Sequence, residues 1–220
     1  MDHVAAEDLK DIIKWPGGVR PHILDIGANQ GQFAREMRET FGNAFIYSIE
    51  ANPICEVKLQ KGMKHGTVNE YQIVALGKEE DTLDFFRNKT KPQGKGASFY
   101  PEITDTNLEC VKIPVRRLDD VIPTDHYHLI KIDVQGAEAD VITGGETTIQ
   151  KAKYVILELA ITPYNENAPL GMELVEQMNN LGFGLISCIT EHSNDGNVIQ
   201  IDGVFGKEQE NNTAVMEYFN

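Results

Sequence analysis

An α/β fold is what this chain predicts: a mostly parallel seven-stranded sheet with helices on both faces and a terminal antiparallel strand. Three observations carry that expectation. His22 to Gly31 reads HILDIGANQG, an apolar strand that stops at an acid, turns through two glycines and enters a helix running from Gln32 to about Thr40. Leu129 to Glu138, LIKIDVQGAE, follows a similar plan farther along. Around these two, apolar β-rich runs alternate with helix-patterned segments, as parallel strands joined by crossover helices require.

Composition sets the limits. With 220 residues, 41% hydrophobic and 25% charged, the chain suits a single domain, 1–220, with a full core. Acids outnumber bases by 34 to 20, a net charge of −14, so the molecular field repels polyanions and argues against nucleic-acid partners. Cys55, Cys110 and Cys188 are odd in number and lack any C-x-x-C spacing, which fits free thiols in a reducing, cytoplasmic compartment. The first residues, MDHVAAEDLKDIIKW, are too acidic and charge-broken for a signal peptide, and no later run reaches transmembrane length. No membrane insertion is expected.

Leu9, Ile12 and Ile13 recur at helical spacing and predict a short amphipathic helix, ended by Trp15-Pro16-Gly17-Gly18 and lying over the site formed by the glycine turn. Ala44 to Ile49 reads as the second strand and Tyr71 to Leu76 as the third, closed by Gly77. From Asp81 to Arg117 the alternation breaks, marking an insertion at about 81–117. In it two strand-like pieces, Thr82 to Phe86 and Val111 to Val115, flank a loop rich in lysine and glycine. The fifth strand of the main sheet is Tyr154 to Leu159, followed by a loop and a helix from Gly171 to Leu181. Phe183 to Ile189 and Val198 to Phe205 are joined by Thr190 to Asn197, a link containing Asn194-Asp195-Gly196 that is too short for a crossover helix. That last pair is therefore antiparallel.

The strand, glycine turn and helix at His22 to Thr40 bring free backbone N–H groups and the positive end of a helix dipole to one point, where an anionic cofactor group docks. A dinucleotide fingerprint needs a middle glycine for the pyrophosphate, and here Asn29 stands between Gly27 and Gly31. That disfavours a nicotinamide cofactor. Gly27, Ala28, Asn29 and Gly31 suit a smaller carboxylate and ammonium, with Asp25 facing the ammonium. Glu50, nineteen residues beyond Gly31 and followed by Ala51, is placed to accept ribose hydroxyls. Ala75 and Leu76, at the tip of the third strand, are placed against an adenine ring or are simply buried.

Asp133 ends the strand that lies beside the first, at the switch-point crevice, and ranks first for chemistry. Lys131 is two residues earlier, hence on the same face, and pairs with Asp133 or lowers its pKa. Glu158 is a lone acid near the end of an apolar strand, so it is near solvent, paired, or bound to a cation. Glu138, in the first turn of a helix, fits a dipole role. Arg87, Lys89, Lys91 and Lys95 crowd the insertion loop, with Ser98 close behind; they are a solvated loop or a receptor for a phosphate-bearing acceptor.

DIGANQGQFA, SIEANP, VALG, KIDVQGAE, VILEL and QIDGVF, in this order from about residue 22 to residue 206, resemble the FkbM family of methyltransferases. The resemblance implies a Rossmann-like class I methyltransferase fold, with S-adenosylmethionine as methyl donor. It implies O-methylation of a sugar or glycan, or of a secondary metabolite such as a macrolide. Residue by residue, it assigns Asp25, Gly27, Asn29 and Gly31 to the methionine end, Glu50 to the ribose and Asp133 to the reaction centre.

Methyl transfer to oxygen needs in-line placement and removal of a hydroxyl proton. Holding the reactants together supplies roughly 7–11 kcal/mol, and a general base adds about 10²- to 10⁴-fold. Asp133 is the expected base, tuned by Lys131 or a nearby histidine among His126, His128 and His192. The rival scheme has Asp133 and Glu158 hold a divalent cation, Mg or Mn, that orients the acceptor. A nucleoside-binding scaffold without chemistry is the reading from another class.

Overall fold

The computed structural model describes residues 6–15, 17–94, 96–101, 103, 107–122, 126–163, 165–194, 196–207 and 210–219. Pro16, Lys95 and Asp195, each part of an expected turn or loop, lie outside the described residues.

Among the described residues, ten strands form two sheets. In chain order they are β1 (His22–Ile26), β2 (Phe45–Glu50), β3 (Glu70–Ile73), β4 (Ala75–Leu76), β5 (Asp81–Asn88), β6 (Leu108–Arg116), β7 (Leu129–Ile132), β8 (Tyr154–Ala160), β9 (Phe183–Asn194) and β10 (Asn197–Lys207). The main sheet has seven strands in the order β3-β2-β1-β7-β8-β10-β9. Its first five are parallel neighbours, while β10 runs antiparallel to both β8 and β9. Winding proceeds outward from β1 in one direction and from β7 in the other, so the switch point lies between them.

Strand alternation divides the core into two layers. Leu24, Ile26, Ile130, Ile132 and Leu157 face one way, onto Val141 and Leu174 of the helices Glu138–Gly144 and Gly171–Asn180. Ile23, Ile46, Leu129, Ile156 and Val204 face the other way, onto Phe33, Ala34 and Met37 of the helix Gln32–Thr40. Both faces are thereby covered, and the architecture is the predicted α/β one.

The first helix, Ala6–Ile12, corrects an expectation. It does not lie over the glycine-turn site, because fully buried Leu9 and Ile13 draw it into the flanking layer with Phe33 and Met37. Among the described side chains of this helix, from Leu9 on, none lines the main cavity.

The third strand also differs from its predicted span. The main-sheet strand stops at Ile73, and Ala75–Leu76 leaves to pair with Val115 and Arg116 in the second sheet, ordered β4-β6-β5. The Gly77 N–H continues that departure by donating to the Arg116 carbonyl. Within the insertion, β5 and β6 pair antiparallel from Asp81 opposite Val115 to Asn88 opposite Leu108. Among the described residues no helix is long and apolar enough to cross a membrane.

Candidate active site

A cavity of about 400 Å³ opens at the carboxyl ends of β1, β2, β7 and β8, beside the switch point. The turn after β1 forms one wall. Gly27 and Ala28 donate N–H bonds of 2.9 and 3.0 Å to the Ile49 carbonyl, tying the turn to the end of β2. Gly27 has φ 79°, and a Cβ on it would stand 1.7 Å from the Asp133 carbonyl oxygen, so only glycine lets the two strand tips approach. Asn29 is also left-handed, at φ 48°, and its buried Oδ1 has no hydrogen-bond partner.

Glu50 organises this turn. Its Oε2 accepts from the Asn29 N–H at 2.7 Å and its Oε1 from the Asn52 N–H at 2.7 Å. Burial raises its pKa, and those two backbone bonds pull it back. An ionised carboxylate has about four acceptor positions, so roughly half stay available for ribose hydroxyls. Above the turn, Asn29, Gln30 and Asn52 donate side-chain amide bonds to the carbonyls of Gly94, Gln93 and Pro92. The insertion loop is thus strapped to the glycine turn.

Asp25 does not line the cavity. It shares the face of Ile23, is fully buried beneath the crevice, and its two oxygens have no hydrogen-bond partner among the described residues. Burial, only partly opposed by the Lys131 ammonium, pushes its pKa up to about 7. The proton is held more tightly in the folded chain than in the unfolded one. The stability it contributes is therefore complete below the ordinary value of 3.8 and lost as pH rises towards 7. Asp25→Asn should remove a pH-dependent loss on the order of 3–4 kcal/mol between pH 4 and 8, read by denaturant unfolding across that range. Equal slopes in both proteins would refute the assignment.

Next to Asp25 across the sheet stands Lys131, which is 12% exposed in its side chain. Its Nζ lies 2.8 Å from Asp133 Oδ2 and 5.4 Å from the centre of the Phe33 ring. Burial lowers its pKa, but the carboxylates of Asp133 and Asp25 outweigh that and hold it above its ordinary value. The pairing expected from the two-residue spacing is present. Gln135, at φ 58°, then joins two acids, with Nε2 donating to Asp133 Oδ1 at 2.8 Å and to Glu158 Oε2 at 2.7 Å. Ser98 secures it by donating to the Gln135 carbonyl at 2.6 Å.

Glu158 lines the cavity and faces Asp202 directly across the β8–β10 pair. Burial first, then the nearby Asp133 charge, raises the pKa of both. Glu138, also buried, accepts from the Val134 and Gly136 N–H groups at 2.8 Å each, so it caps its own loop instead of entering the cavity.

Of the expected site residues, Gly27, Ala28, Asn29, Glu50, Ala51, Leu76, Lys131, Asp133 and Glu158 all line the cavity. Asp25, Gly31 and Ala75 do not. Gly31 shapes the helix entry at φ 78°, and Ala75 is buried by its pairing with Val115. His128 lies at the opposite, amino end of the strands, where its Nδ1 accepts from the His22 N–H at 3.0 Å. His192, expected in a connecting loop, instead belongs to β9 and lines the cavity with Thr190, Gln200 and Asp202. Sequence pattern singled out none of the last three; Asp202 sits as a lone acid in an apolar strand, the same signal that marked Glu158. Arg87 pairs with Glu109 at 2.6 Å, and neither it nor Lys89 or Lys91 lines the cavity.

A family model described as the methyltransferase FkbM domain matches residues 25–185. The chain belongs to the FkbM methyltransferase family. A curated relative of this FkbM chain is the 2-O-methyltransferase NoeI of Sinorhizobium fredii, 29% identical over 154 residues. That alignment covers 63% of this chain and 63% of NoeI, so the chain spans less than two thirds of its relative's length. Among solved structures, Sp1610 of Streptococcus pneumoniae superposes with a TM-score of 0.56 at 14% identity, covering 100% of this chain and 77% of that one. TehB of Haemophilus influenzae gives 0.53 at 13% identity, covering 94% and 62%. At such identities the likeness carries the fold, the Rossmann-like class I methyltransferase fold.

Proposed function

We propose that this chain transfers a methyl group from S-adenosylmethionine to a hydroxyl oxygen of a sugar or glycan. The observation that carries the reading is a cavity with two chemically different ends. One end, at the Gly27 turn, Glu50 and Leu76, offers backbone, ribose-accepting and apolar surfaces suited to an adenosyl group. The unsatisfied Asn29 Oδ1 supports it, since a buried acceptor needs a donor and an amino-acid ammonium supplies one. The other end carries Asp133, Glu158, Asp202 and His192, acceptor-rich groups suited to a neutral polyol. A phosphate-bearing or polynucleotide acceptor would meet like charge there and across a chain of net charge −14.

Bound at the first end, S-adenosylmethionine supplies a methyl group already activated by its sulfonium. The protein's part is placement and proton management. In this reading Lys131 and Gln135 fix the Asp133 carboxylate from two sides, and Asp133 takes the acceptor's hydroxyl proton. Glu158 and Asp202 line the same end of the cavity, where they offer hydrogen-bond partners to the acceptor's other hydroxyls. Residues 1–220 then form one methyltransferase domain, with 81–117 as an insertion that walls the cavity through Phe85 and Ser98. NoeI, named as a 2-O-methyltransferase, supports oxygen as the acceptor atom.

A sugar library incubated with the chain and S-adenosylmethionine should yield a product heavier by one methylene unit, detected by mass spectrometry. Asp133→Asn should lower kcat by about 10²- to 10⁴-fold while KM for S-adenosylmethionine changes less than about tenfold. Cofactor binding by calorimetry without any methylated product would instead identify a scaffold.

A further inference from the structure

We propose that Glu158, His192 and Asp202 form a divalent-cation site at the acceptor end of the cavity. One ligand atom from each, two carboxylate oxygens and an imidazole nitrogen, lies within 4.8 Å of the others. Ligands around a single ion, each bound at roughly 2.0–2.6 Å, stand about 3–5 Å apart, so ordinary side-chain adjustment closes the set. Sheet register creates the cluster. Asp202 is the direct partner of Glu158 across β8 and β10, and His192 is paired with Gln200 two residues away.

Charge and hydrogen bonding favour an ion over mere proximity. Glu158 and Asp202 both line the cavity, and two carboxylates facing each other there repel. Lys131 offsets the pair only in part, because its Nζ is bonded to Asp133 at 2.8 Å and is shared with Asp25. Gln135 occupies Glu158 Oε2 and leaves Oε1 for a ligand bond. A separate sign comes from Thr190, which is 7% exposed and stands opposite Asp202 in the same wall. Its Oγ1 sits beside the Asp202 carboxylate without a regular hydrogen bond of its own, a buried oxygen that an ion-bound water would engage.

This ligand set differs from the pairing of Asp133 with Glu158 expected from sequence. Both Asp133 oxygens already accept, from Lys131 and from Gln135, which makes Asp133 a poor ligand. Two carboxylates with one imidazole suit Mn²⁺ and related first-row ions better than Mg²⁺, which prefers oxygen alone. Three protein ligands leave open positions for oxygens of the acceptor, next to the carboxylate that would take the proton. That last role rests on the methyltransferase reading; the binding of the ion does not.

The test is Mn²⁺ titration of the full chain, read by loss of the free-ion EPR signal, with neither S-adenosylmethionine nor acceptor present. One Mn²⁺ should bind per chain, and Glu158→Gln and Asp202→Asn should each weaken it at least 30-fold. His192→Gln should weaken it about tenfold. The two carboxylate variants should melt no lower than the metal-free parent, since each relieves a like-charge contact, and this shows that they fold. Absence of Mn²⁺ binding to the parent, or binding that all three variants retain, overturns the site. Intact Mn²⁺ binding with no methylated product from any sugar would leave the site standing and remove the proposed function.

Discussion

Gly27→Ala is expected to abolish binding of S-adenosylmethionine, lowering affinity at least 100-fold by calorimetry, and to lower the melting temperature markedly. The added Cβ would occupy a point 1.7 Å from the Asp133 carbonyl oxygen and 2.7 Å from its carbonyl carbon. No rotamer relieves a clash with backbone, so the tips of β1 and β7 must move apart. The substitution also forces alanine into φ 79°, which alone costs about 1–2 kcal/mol. Separation displaces Asp133 and loosens the N–H bonds from Gly27 and Ala28 to Ile49, so both ends of the cavity suffer from one methyl group. The contrast is Gly31→Ala, where the nearest atom is a leucine methyl at 3.5 Å and only the backbone strain applies. If Gly27→Ala binds the cofactor as well as Gly31→Ala does, the close approach of the two strands has no part in the site.

Lys131→Met should destabilise the chain by about 3 kcal/mol at pH 8 and by much less at pH 5. Methionine keeps the packing of the stem and removes only the charge. Asp133 then loses its 2.8 Å ion pair, and Asp25 loses the one cation that offsets its burial. Removing that cation raises the pKa of Asp25 above about 7, so its carboxylate is uncompensated in alkaline solution and increasingly neutral in acid. Unfolding curves at the two pH values measure the difference. A loss that is the same at both would mean that Lys131 acts through packing alone.

The segment from His22 to Thr40 was legible in the sequence because its signals are local. Apolar alternation, an acid, a glycine turn and an amphipathic helix follow one another, and the predicted helix Gln32 to Thr40 is the one observed. The pairing of Lys131 with Asp133 was legible for the same reason, since a strand places residues two apart on one face. What escaped depends on which strands become neighbours. The desertion of Ala75 and Leu76 to the second sheet requires Arg116, some forty residues later, to be their partner. The meeting of Glu158 with Asp202 requires the last strand to insert beside β8 instead of joining the edge. Asp25 is misplaced for a simpler reason: it stands one residue inside β1, next to Lys131, and the turn itself supplies the groups that face the crevice.

The late insertion of β10 divides the molecule in an unequal way. The glycine turn, Glu50, Asp133 and Glu158 come from strands β1, β2, β7 and β8 or the turns that follow them, whereas Thr190, His192, Gln200 and Asp202 come from β9 and β10. The cavity is therefore complete only when β10 has slotted between β8 and β9, so a change that loosens that strand would open the wall carrying Asp202 and leave the glycine turn in place.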